Sequence, residues 1–247
     1  MPDVKLSQLA AASAASVAAG AGLWTMAGHI LGLRMEYVGP ASIRVSSGSA
    51  WIPSLQQAIE VPAALTLSGL TLAASTWYHL YLYLNGSTPA IEAVTAAPAT
   101  PYSGTARAKT SDNTRRYIGS FRTNASGQIL KFAHSGGQVS YAGNVSQQLV
   151  FNGNPAVPTT VDLSGYCPIT SQSAQLLVLN QSPVNMYVGY ANGPVAGDNS
   201  WITFLPGNSA QKLDAPYPAT GDNLQVCYST ASSNGSLAWV AGYTYGR

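Results

Sequence analysis

The segment TWYHLYLYLNG, residues 76–86, alternates with period two and stops at a turn dipeptide. In an extended strand successive side chains point to opposite faces. Trp77, His79, Tyr81 and Tyr83 therefore share an aromatic, amphipathic face, and Tyr78, Leu80, Leu82 and Leu84 share a mostly aliphatic one. Asn85-Gly86 tolerates the positive φ angles of a type I′ turn, and AIEAV supplies the returning strand. The spacing predicts a hairpin with two faces to cover.

The same grammar runs through most of the chain. MEYVGPASIRVSSGSAWIPS, RRYIGSF and GQILKFA are short runs broken by turn residues, and QLLVLN, VNMYVGY, SWITFL, LQVCYS and SLAWVAGYTY repeat the arrangement later. Such runs predict an all-β fold of sandwich or jelly-roll type. Residues 35–141 form one expected domain and residues 175–247 a second. A Pro- and Gly-rich connector, 142–174, separates them, and an Ala/Ser/Gly-rich segment, 1–34, precedes both.

That leading segment has no Asp, Glu, Lys or Arg between residues 6 and 33. Its length could span a bilayer. Ala, Ser and Gly supply little transfer energy, however, and Asp3 beside Lys5 suits a signal peptide poorly. Small side chains let backbones approach closely, so residues 1–33 are expected to pack against a partner protein, with no membrane role.

Charge limits the functional classes. Only 8% of residues are charged, against roughly 25% in an average soluble protein. A surface with so little repulsion favours coverage by other subunits. The net charge of +2 makes no case for nucleic acid or acidic membranes.

Few residues invite catalysis. Asp112, Asp198 and Asp222 sit in SDNT, GDNS and GDNL, where Asx side chains bond their own backbone. No segment presents a glycosidase-like carboxylate pair. His29, His79 and His134 lie apart, without metal-ligand spacing, and nucleophile-elbow, phosphate-loop and dinucleotide motifs are missing. The expectation is a protein that is not an enzyme and takes no metal and no cofactor. Cys167 and Cys227 form either a disulfide or two separate thiols.

Arg107, Lys109, Arg115, Arg116 and Arg122 gather five of the eleven Lys and Arg residues into sixteen positions. With RRYIGSF as a regular strand, Arg115, Tyr117 and Phe121 share one face, and Arg116, Ile118 and Arg122 the other. Arg115, Arg116 and Arg122 are candidate anion contacts, since guanidinium forks match carboxylates and phosphates. The competing reading is an edge strand guarded by charge.

The run LTLAASTWYHLYLYLNGSTPAIEAVTAAPATPYSGTARAKTSDNTRRYIGSFRTNASGQILKF, with ASIRVSSGSAWIPS upstream, resembles a β-rich module in virion proteins of tailed bacteriophages: tail fibre, baseplate or head-fibre proteins. KLSQLAAASA is similar to short N-terminal segments of phage appendage proteins that attach to the particle, and Gln175–Arg247 looks like the small β-sandwiches that phages display. The resemblance implies a structural virion protein on the tail or head exterior, usually a homotrimer. It further implies attachment to other virion proteins through residues 1–33, and it leaves room for contact with host surface polysaccharide. Trp77, His79, Tyr81 and Tyr83 then become candidate subunit-interface or glycan-contact residues. Alternatives are a capsid decoration or head-fibre protein and, from another class, a soluble carbohydrate-binding module.

Overall fold

The computed structural model describes residues 26–143, 145–190, 201–216, 224–230 and 235–247. Residues 1–25 of the expected anchor and residues 191–200 lie outside them. The described chain is all-β, with five antiparallel sheets and no closed barrel.

Two three-stranded sheets come first. One has the order β1 (Ile30–Gly32), β4 (Gly48–Ile52), β5 (Gln57–Val61). The other runs β2 (Met35–Gly39), β3 (Ser42–Val45), β6 (Leu65–Leu67). A four-stranded sheet follows, in the order β8 (Thr88–Val94), β7 (Trp77–Asn85), β10 (Asp112–Arg122), β9 (Ala108–Lys109).

The later part of the chain is a sandwich of two sheets. The larger is ordered β11 (Phe132–Ser135), β12 (Gln138–Tyr141), β20 (Ser236–Tyr245), β15 (Ser171–Asn180), β18 (Ser209–Pro216), with β13 (Leu149–Gly153) also on β20. The smaller runs β14 (Thr159–Asp162), β19 (Gln225–Thr230), β16 (Met186–Tyr190), β17 (Trp201–Leu205). Leu176, Val178, Ala238 and Val240 from the first sheet meet a core that holds Met186, Val188, Leu205 and Val226 from the second. Phe151 of β13 stacks on Tyr228 of β19 with ring centroids 3.9 Å apart. Burying each large aliphatic side chain is worth roughly 1.5–3 kcal/mol, the main stabilising resource for a chain so short of charge.

Two details differ from the pattern the sequence predicts. The 77–94 hairpin closes one residue later than expected: Asn85 pairs with Thr88, and the two-residue loop is Gly86-Ser87. Only Gly86 takes a positive φ, +63°. A glycine at the first central position is the signature of a type II′ turn, which also matches strand twist.

The second difference concerns connectivity. The hairpin β11–β12 falls inside the first expected domain, yet β12 pairs with β20, the last strand of the sandwich. The expected connector 142–174 holds β13, β14 and the start of β15. Its prolines and glycines punctuate short strands. The hydrophobic core is likewise continuous, running from Leu33 to Tyr245 through both halves.

Candidate functional site: an aromatic seam, its arginines and an exposed edge

The aromatic face of β7 points into the molecule. His79 and Tyr81 are 5% and 0% exposed, and Trp77 and Tyr83 are half-buried. What covers them is the same polypeptide. Trp77 stands edge-on to Tyr243 at 6.1 Å and donates its indole N–H to the Ser164 carbonyl at 2.9 Å. Tyr81 packs against Tyr117, which packs against Tyr245. Tyr243 in turn contacts Tyr141 and Tyr245. For His79 and Tyr81, the expected roles in a subunit interface or glycan contact give way to a seam between the β7–β10 sheet and the six-stranded sheet.

Polar atoms along this seam are paired, as burial requires. The Tyr117 hydroxyl shares hydrogen bonds with Ser120 Oγ at 2.8 Å and Thr170 Oγ1 at 2.7 Å. His79 Nδ1 lies 2.8 Å from Ser120 Oγ. Tyr243 and Tyr245 donate to the carbonyls of Ser120 and Ile118. Burial holds the Tyr117 phenol up at about 12 and the His79 imidazole down at about 4. His134 is also held down at about 4, by burial first and then by Arg247. None of these groups is tuned for proton transfer near neutrality.

A β-bulge reassigns the arginines. On β10, Tyr117 pairs with Tyr81 and Gly119 with Leu80, so Ile118 is an extra residue. Every side chain after it changes face. Phe121 leaves the Tyr117 face and stacks on Tyr78 at 5.6 Å, while Arg122 falls opposite Trp77 rather than sharing a face with Arg116.

The three candidate anion contacts have three different surroundings. Arg115 caps Tyr83, 4.0 Å from the ring centroid, and its Nε lies 3.4 Å from Glu92. Arg116 is 0% exposed. It donates to the Arg107 carbonyl at 3.3 Å and lies over Tyr102, and burial lowers its pKa. An external anion cannot reach it. Arg122 lies over Tyr166, 4.6 Å from the ring centroid, with Nε and Nη1 buried and unpartnered.

Cys167 and Cys227 are separate buried thiols, so the candidate disulfide is not formed. Cys227 Sγ donates to the Tyr190 carbonyl at 3.1 Å, and burial raises its pKa. Among the described residues no cluster of His, Cys, Asp and Glu could hold a metal ion, and no helix is long and apolar enough to cross a membrane.

The ring cluster that does reach solvent lies elsewhere. On the edge strand β17, Phe204 is 57% exposed and sits directly opposite Tyr187. The Tyr187 ring is 5.3 Å from Trp201 and 6.5 Å from Phe204. A bulge at Ile202 puts Trp201 and Phe204, three positions apart, on one face. A strict period of two separates them, which is how the sequence hid the cluster. Asn180 supports this edge from below, donating to the carbonyls of Val184, Leu205 and Pro206. No family model, curated protein or solved structure matches the chain.

Proposed function

We propose that the chain is a non-enzymatic structural subunit of a tailed-phage particle, a short tail fibre or appendage, that associates with copies of itself through the rim of its C-terminal sandwich. The observation that carries this reading is the Tyr187–Trp201–Phe204 cluster on an edge strand. Aromatic side chains on an otherwise weakly charged surface are the usual anchors of protein interfaces. An edge strand with no further ladder partner among the described residues adds a row of backbone donors and acceptors for a neighbour. Leu31, Val157 and Ile169, each more than 60% exposed, are further apolar surface suited to cover. In the appendage arrangement, residues 1–33 hold the particle and the C-terminal sandwich faces outward, towards host surface polysaccharide.

The test is native sizing of the purified chain, paired with imaging of particles tagged at Arg247. An oligomer that dissociates on Phe204→Lys, with the folded spectrum kept, supports the reading. A wild-type monomer overturns it. A tag on the head rather than the tail makes the chain a capsid decoration or head-fibre protein. The exposed rings also suit stacking of a sugar. A monomer that binds neutral oligosaccharide through Trp201 would make the chain a carbohydrate-binding module.

A further inference from the structure

Arg122 combines unpartnered interior donors with an adjoining cavity. Its Nε and Nη1 are buried without a hydrogen-bond partner. Among the described residues the ion pairs are Arg44 with Glu36, Lys109 with Glu92, and Arg115 with Glu92 and Asp112, and none of their carboxylates pairs with Arg122. The residue as a whole is half-buried, and enclosing two guanidinium donors without an acceptor is costly.

Beside it lies a cavity of about 310 Å³ whose lining includes Ser75, Arg122, Asn124, Ser126, Gln147 and Tyr166, with no acidic residue. The walls come from both halves of the chain. Ser75 and the 122–126 turn belong to the first, Gln147 and Tyr166 to the second. Tyr166 is fixed on two sides: it donates its hydroxyl to the Gln147 carbonyl at 2.5 Å, and its own carbonyl accepts from Tyr141 at 2.7 Å. The indole of Trp77 holds the same loop at Ser164. Gly165 leaves the guanidinium its room, since a Cβ there would come within 3.3 Å of Nη1. The ring under the fork is thus fixed before any ligand arrives, which lowers the ordering cost of binding.

We propose that this cavity binds an oxyanion through Arg122, the carboxylate of an acidic sugar or a free inorganic oxyanion. Guanidinium pairs with oxyanions through charge-assisted, directional hydrogen bonds. The hydroxyl-bearing residues Ser75 and Ser126 suit the remaining oxygens. The inference rests on Arg122 and its cavity alone and does not depend on the role in a particle.

The test is titration of the full chain with sodium glucuronate, glucose and sodium phosphate at fixed ionic strength, following the Arg Nε–H resonances by NMR. The expected result is saturable millimolar binding of glucuronate or phosphate, not glucose, that shifts one Arg Nε–H signal. Arg122→Gln removes that signal and weakens binding about tenfold or more. Arg122→Lys, which keeps the charge and loses the fork, weakens it less. Glucuronate in preference to phosphate identifies a sugar carboxylate, and the reverse identifies an inorganic oxyanion. Thermal unfolding of both variants confirms that they are folded. Equal binding by wild type and folded Arg122→Gln, glucose binding as well as glucuronate, or no saturable binding of either anion overturns the proposal.

Discussion

Tyr243 donates its hydroxyl to the backbone carbonyl of Ser120 at 2.8 Å, joining positions 123 apart in the chain. Two residues on, Tyr245 does the same for Ile118. The acceptors flank Gly119, beside the extra residue of the β10 bulge, where the ladder to β7 is disrupted. The two halves are therefore joined by specific polar contacts as well as by ring packing.

Removing one of those hydroxyls leaves a buried carbonyl without its donor, which costs about 1–3 kcal/mol. Tyr243→Phe is expected to lower unfolding free energy by that amount in urea titration. Because the core is continuous across the halves, one transition rather than two is expected. Two separated transitions in the wild type would refute a shared core.

Gly119 is a point of close approach between the two halves. A Cβ there would lie 2.6 Å from Met35 Sδ and 2.7 Å from the Tyr245 hydroxyl. The thioether can move, but the phenol is held by its own hydrogen bond. Gly119→Ala is expected to destabilise by about 1–3 kcal/mol, seen as a lower melting temperature. Tyr245→Phe in the same chain should recover part of the loss.

The seam also sets a pH response. His79 is neutral in the folded chain down to about 4, whereas an unfolded histidine takes a proton near 6.5. Between those values the unfolded state binds more protons, so stability falls as pH drops from about 6.5 to about 4 and then levels for this group. The full drop is worth roughly 3 kcal/mol. Urea midpoints at pH 7.5, 5.5 and 4.0 check it, and the slope over that window should shrink in His79→Gln.

Arg116 offers a cleaner case of a buried charge. It is fully enclosed, with Nε and Nη2 unpartnered. Exchanging such a cation for an apolar side chain of similar length is often neutral or stabilising, by about 1–4 kcal/mol. Arg116→Met is therefore expected to unfold no more easily than wild type. A loss of more than about 2 kcal/mol would mean that those donors are satisfied by something bound.

The two cysteines should behave as interior thiols. In native protein neither should react with a thiol reagent within minutes, both should react after unfolding, and a reductant should leave the melting temperature unchanged. A shift on reduction would contradict the separate thiols.

Period-two alternation was enough to locate β7, β8, β15 and β20, because each has a face that must be buried. It failed at Ile118 and Ile202, where one inserted residue reverses every later side chain. Phe121 and Arg122 therefore stand on the faces opposite to those of a regular strand, and the Trp201–Phe204 surface leaves no period-two signal. The aromatic content of residues 77–83 correctly signalled a face needing cover. The identity of the cover depended on pairings such as Trp77 with Ser164 and Tyr243 with Ser120, which join distant segments and leave no mark in local spacing. Cys167 and Cys227 could not be sorted into bridge or thiols for the same reason.

The strand β20 has a temporal consequence. It holds β12 and β13 along one side and β15 along the other, so a nascent chain of only the first 235 residues lacks the rail on which the largest sheet is laid. Until that rail leaves the ribosome, the rings of β7 have no lid, and the hairpin β11–β12 has nothing to join. Folding dominated by such distant pairings is slow. The segments made before β20 therefore stay open, with their rings uncovered, until residues 236–245 have been made.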